Sequence, residues 1–227
     1  MPRFMLLGSD DGVTPPTVVS SSQATTPANG ASSAGGTTLV IPAPSGLEEG
    51  DVMLMVARWN GNPAITSPSG WSRLTTTSGL SIVDKKIATS SEPSEYTWSV
   101  ANTARSRAGA IIAVRGANPD FGDYKTSLNS GLVLTDTTNT IENSLLVALG
   151  AADIPSTPPG TSFTSNSPLV QQIEHKARGS AILSIYVGVV IAVEESLPVG
   201  TISGRSFSNT SVGSFDVTAA AIVEGEE

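Results

Sequence analysis

The chain has 227 residues, a formal net charge of −8, only 14% charged residues and no cysteine. That length suffices for one sizeable core or two small ones. The acidic balance excludes a role driven by nucleic-acid phosphates or an anionic membrane surface, because no basic stripe is there to displace counterions, and the missing thiols exclude a disulfide framework and thiolate chemistry.

The chain opens "MPRFMLLGSDDG", in which the apolar piece 4–7 is too short for a secretion signal and runs into acid. No apolar run approaches the length of a membrane-spanning helix. A protein of this kind that works outside a cell is expected to be made in the host cytoplasm and to leave by lysis, as part of a particle. Residues 9–37 are almost entirely Ser, Thr, Ala, Gly and Pro. Such a segment cannot offset its own ordering entropy, so it is expected to lie along another surface, either its own domain or a neighbouring subunit. Residues 1–37 therefore read as an extended arm, with Phe4, Met5, Leu6, Leu7, Val13, Val18 and Val19 as its candidate assembly contacts.

From Thr38 onward short apolar runs alternate with dense turn signals such as "PAPSGLEEGD", "SPSGW", "SSEPSE" and "ESLPVG". The predicted strands are 38–41, 51–59, 71–76, 80–88, 95–100, 108–115, 131–135, 144–152, 169–174, 181–193, 199–203 and 214–223. No segment keeps a helical period for more than about two turns. The expected fold is all-β, an antiparallel two-sheet sandwich of jelly-roll type over 38–227. A weak repeat of hairpins divides it into 38–118 and 131–225; in this alignment "SPSGW" matches the Pro-Gly of "STPPGT".

The strands carry an anomaly. In "DVMLMVARW" Val52, Leu54 and Val56 point to one side and Met53, Met55 and Ala57 to the other, so the run is apolar on both faces. The runs 108–114, 144–152 and 181–193 behave alike. Strands buried on both faces need a second cover, which the arm, the loop 116–143 or another copy could supply. An isolated monomer would expose apolar patches that soluble proteins rarely carry, so a subunit of a larger homo-oligomeric assembly is expected.

Chemistry has few places to reside. The one histidine, His175, lies near a strand end with no nucleophile elbow in the chain, and reads as a solvated side chain. One histidine without cysteine leaves no zinc site. The carboxylate pairs Asp10/Asp11, Glu48/Glu49, Glu92/Glu95 and Glu194/Glu195 fall in turns and strand ends, where acids are solvated, whereas a glycosidase needs one acid in an apolar pocket. Asn118, Asp120 and Asp123 loosely approach a calcium loop but lack its full spacing, so a plain turn is expected. Trp59, Trp71 and Trp98 read as plugs of a sandwich end; their alternative is a stacking platform for a glycan of the host surface. No cofactor and no catalytic residue is expected.

The train "GLEEGDVMLMVARWN…ITSPSGWSRL…SIVDKKIATSSEPSEYTWSV…RAGAIIAVRGAN" resembles a β-sandwich module of tailed-bacteriophage virion proteins, of the tail, fibre or capsid-decoration type. Its hallmarks fall on Gly50, Asp51, Pro68, Gly70, Trp71, Lys85, Lys86, Glu92, Pro93, Tyr96, Trp98, Arg115 and Gly116, and the match covers about residues 38–118. The resemblance implies a non-enzymatic virion structural protein, in tail, baseplate or capsid decoration, whose partners are the major capsid or tail protein and further copies of itself. A carbohydrate-binding host-adhesion module is the alternative.

Overall fold

The computed structural model describes residues 15–24, 36–59, 64–77, 81–104, 106–118, 120, 123–131, 134–154, 163–178, 186–209 and 215–225. The chain is all-β. Its first half comprises β1 (Thr17–Gln23), β2 (Gly36–Pro42), β3 (Val52–Trp59), β4 (Ile65–Thr66), β5 (Ser72–Thr77), β6 (Ser81–Ile87), β7 (Glu95–Ala104) and β8 (Arg107–Arg115). The second half comprises β9 (Asp123–Gly131), β10 (Thr137–Asn139), β11 (Ser144–Ile154), β12 (Phe163–Ser165), β13 (Val170–Arg178), β14 (Tyr186–Leu197), β15 (Gly200–Ile202), β16 (Phe207–Asn209) and β17 (Phe215–Val223).

One strand order occurs twice. The first half pairs β1-β8-β3-β6-β5 in one sheet and β2-β7-β4 in another. The second half repeats the first order as β9-β17-β11-β14-β13, and repeats the second with its middle strand broken in two, as β10-β15 and β12-β16. Every strand pairing is antiparallel. Even backbone strain is duplicated: Gly50, two residues before β3, has φ 94°, and Asn143, immediately before β11 and at the equivalent place, has φ 61°. Glycine and asparagine are the residues that tolerate this region best.

The two five-stranded sheets lie face to face, and each is covered on its far side by the smaller strands of its own half. The antiparallel sandwich is thus deeper than a single pair of sheets. Val52, Leu54 and Val56 join Ala110, Ile112, Leu149, Ile191 and Ala221 in a seam between the halves. Met53, Met55, Ala57 and Trp59 face the other way, onto Leu39, Ile41, Tyr96 and Trp98. In the second half Leu146, Ala148, Val190 and Ile222 are covered by Phe163, Leu169, Ile202 and Phe207. Burial of each large aliphatic side chain contributes about 1.5–3 kcal/mol.

This arrangement corrects the expectation that neighbouring copies must shield the apolar sheets: both faces of β3, β8, β11 and β14 are covered within one chain. Among the described residues the large hydrophobics left exposed are Val170 and Val199, which do not make a patch. Part of the presumed arm is itself a strand. β1 adds to the sheet edge beside β8, and a bulge between Val18 and Ser20 sends Val18 to the seam and Val19 to the outer core. In the single chain these two valines pack on its own two cores; Phe4, Met5, Leu6, Leu7 and Val13 lie outside the described residues. The segment 116–143, read as a covering loop, holds β9 and β10, and residues 134–135 of the predicted strand 131–135 carry no strand. "DYKTSLNSG" escaped detection because an edge strand needs no apolar alternation.

Packing between β8 and the outer layer is tight at Gly109. A Cβ there would stand 2.7 Å from Leu39 Cδ2 and 2.9 Å from Ile41 Cδ1, both in the core. Gly109→Ala is expected to lower unfolding free energy by about 1–3 kcal/mol, since overpacked cores relax by rotamer and backbone strain; urea titration followed by tryptophan fluorescence measures it.

Candidate functional site

The turn between β6 and β7 gathers the charged and aromatic residues that the sequence singled out. It separates two open hollows of about 370 and 270 Å³, both bordered by Thr89, Glu92 and Pro93. The Glu92 carboxylate accepts from Lys86 Nζ at 2.6 Å, from the Thr89 N–H at 2.6 Å, from Thr89 Oγ1 at 2.9 Å and from Tyr96 OH at 2.6 Å. Burial pushes this carboxyl up, but the hydrogen bonds from Lys86, Tyr96 and Thr89 outweigh it and hold the pKa down at about 2. Desolvation, reinforced by the Glu92 charge, pushes the Tyr96 phenol well up. Glu92 is thus a fixed anion near neutrality, with both oxygens engaged, and is neither a proton donor nor a free base. Glu95 borders the larger hollow but is exposed to water. Glu92, held as an anion, does not supply the protonated acid that glycoside hydrolysis requires.

Beneath the turn the aromatics close the end of the sandwich. Trp71 lies 5.1 Å from Tyr96 and 5.1 Å from Trp98 between ring centroids, edge to face in both cases. Relative exposures are 0% for Trp59, 8% for Trp71 and 0% for Trp98. A sugar cannot stack on faces that protein already occupies, so these three residues form no glycan platform; they are plugs. Asp84, fully buried, anchors the group: it accepts from Trp98 Nε1 at 2.8 Å and Ser67 Oγ at 2.6 Å, and pairs with Arg73. Sequence reasoning passed over Asp84. Its signal was a carboxylate inside the apolar strand "SIVDKKI", which must find partners once buried.

Other hallmark residues tie strand ends together. Asp51, 2% exposed, accepts from Arg115 Nε and Nη2 at 2.9 Å each and from the Glu48 N–H at 2.8 Å, which fixes the start of β3 to the end of β8. The outer face carries a matched ion pair in each half. Lys86 stands opposite Met53 and pairs with Glu92; in the second half Glu194 stands opposite Leu146, at the equivalent place, and pairs with Arg205 through a 2.7 Å bond from Nε. The polarity is inverted.

His175 departs from expectation. It is buried in the seam, with Nδ1 3.3 Å from the Gly109 nitrogen and 3.2 Å from its carbonyl oxygen, so that it caps the β8 backbone where β1 ends. Burial lowers its pKa, and the backbone hydrogen bond opposes that only in part. At 118–123 the Asn118 side-chain oxygen accepts from the Asp120 N–H at 2.9 Å, an Asx-type turn. Asp10 and Asp11 lie outside the described residues, and among the described residues no group of three His, Asp or Glu side chains is placed to hold a metal ion.

The chain matches no family model, and no curated protein or solved structure is significantly similar to it.

Proposed function

We propose that this chain is a non-enzymatic structural component of a tailed-phage virion, in the tail, the baseplate or a capsid-decorating layer, with other virion proteins and further copies of itself as partners. The observation that carries the reading is the use made of the motif residues. Asp51 closes on Arg115, Glu92 on Lys86 and Tyr96, and Trp71 on Trp98. Residue types that elsewhere bind or transform a ligand here lock strand ends and plug a core. The order β1-β8-β3-β6 facing β2-β7-β4 supports a jelly-roll variant in each half, with β5 moved to the neighbouring sheet. Two such units sharing one dry seam give a stiff body suited to bearing load in a particle. The net charge of −8 keeps free subunits apart before assembly.

Antibodies raised against the purified chain test this. They are expected to decorate intact phage particles from the source of the gene, at capsid or tail, in negative-stain micrographs. Labelling confined to soluble lysate, with bare particles, overturns the reading.

A further inference from the structure

The first strand of each half occupies the same place: β1 at a sheet edge beside β8, and β9 at a sheet edge beside β17. Their tethers differ. Five residues, 132–136, lead from β9 to β10, but twelve, 24–35, lead from β1 to β2. The second half shows how little chain this step of the topology needs. By sequence the longer tether is "ATTPANGASSAG", without a large apolar side chain to anchor it. Twelve extended residues reach on the order of 40 Å, enough to cross to the sheet edge of an adjacent molecule.

The seat of β1 is well formed while the strand itself is lightly held. β8 is buried along Ala108–Val114, whereas every residue of β1 keeps some exposure. The strand is fixed by its ladder to β8, by Val18 and Val19, and by hydrogen bonds from Ser20 Oγ to Ser45 O and from Ser22 Oγ to Pro42 O, each 2.7 Å. Two adjacent valines, Val18 paired to β8 and Val19 in the bulge, one for each core, form a key that this sequence itself fits.

We propose that β1 is an exchangeable strand: in an assembly, β1 of one copy docks on β8 of a second copy, in the same register, and links the two. Closed and exchanged forms make the same contacts, so concentration chooses between them. A tethered strand competes at an effective concentration on the order of millimolar, which copies packed side by side also reach. The inference concerns self-association and stands apart from the virion reading, whose own test is the labelling of particles.

The cysteine-free chain permits a direct test. Full-length Ser20→Cys and Ser45→Cys variants are mixed, unfolded together, refolded at about 1 mM and joined with a short bismaleimide. The exchanged form is expected to give a covalent heterodimer several-fold above that from Ser20→Cys mixed with Thr201→Cys, whose cysteine lies on the outer layer of the other half. At a thousandfold dilution the yield should fall to that control. A Ser20→Cys/Ser45→Cys double variant, cross-linked within one chain when dilute, verifies that β1 is seated and both thiols react. Heterodimer no greater than control at the high concentration, with the double variant behaving as stated, overturns the proposal.

Discussion

Asp84→Ala is expected to cost about 1–3 kcal/mol of unfolding free energy, the range for leaving a buried hydrogen-bond donor without its acceptor. Domains of ordinary stability hold only about 5–15 kcal/mol in all. The size follows from what Asp84 satisfies: the Arg73 guanidinium, the Trp98 indole N–H and the Ser67 hydroxyl all converge on a carboxylate with no exposure. Removing it leaves the buried Trp98 indole N–H without its acceptor, whereas the Arg73 guanidinium keeps Ser67 Oγ and contact with water. Asp84→Asn keeps an acceptor for Trp98 and should cost less. Arg73→Leu should cost less in the Asp84→Ala background than on its own, with a coupling of about 0.5–3 kcal/mol, because the pair is then already broken. Chemical denaturation of the wild type, Asp84→Ala, Arg73→Leu and the double variant gives the cycle. Near-ultraviolet circular dichroism gives a second readout, since Trp98 stacks with Trp71 and Tyr96 and should lose its fixed environment. Equal losses for Asp84→Ala with and without Arg73→Leu would refute the pairing.

Glu92 is expected to make the fold acid-sensitive within a defined window. Its carboxyl titrates at about 2 in the folded chain against an ordinary 4.5. A depressed pKa means that the unfolded chain binds the proton more readily, so the contribution is complete above pH 4.5 and is lost as pH falls toward 2. The shift corresponds to on the order of 3 kcal/mol at most. Glu92→Gln should lower stability at pH 7 and flatten its decline between pH 4.5 and 2, because the glutamine has no proton to take up. At the alkaline end the same contact acts in reverse sense: Tyr96 is pushed up by burial and by Glu92, so its contribution persists to about pH 10 and declines beyond as the unfolded phenol ionises. Unfolding midpoints in urea from pH 2 to 7 for both chains decide the first claim. Parallel declines for wild type and Glu92→Gln would remove Glu92 from the account.

The long strands were legible because an unbroken apolar run has few other uses. The predicted strand 51–59 is β3 at Val52–Trp59, and 108–115 is β8 at Arg107–Arg115. The same runs posed the question of a second cover, and periodicity could not answer it. Cover comes from β2 and β7 and from the short pieces β12, β15 and β16, whose sequences read like any other hairpin. The repeat is legible as an echo of hairpins, but the structure shifts its alignment. The turn that corresponds to "SPSGW" is Asn166–Leu169, where Leu169 N–H bonds to the Asn166 carbonyl as Trp71 N–H bonds to that of Pro68; the "PPG" first matched to it lies at 158–160, outside the described residues. Glycine and proline mark turns but do not say which turn. The polar interior was the least legible part. Asp84 and His175 look like ordinary surface residues until a second sheet is laid over them, and that layering is a property of the whole chain.

A chain built twice to one plan runs a risk during folding: the strands of one half can recruit the cover of the other. The reversed ion pairs penalise that error. If β6 met the wrong outer hairpin, Lys86 would face Arg205, and β14 in return would bring Glu194 against Glu92. Each encounter would set like charges side by side where the native partner of opposite sign is missing. The sign of these charges thus helps to distinguish two covers built to one plan.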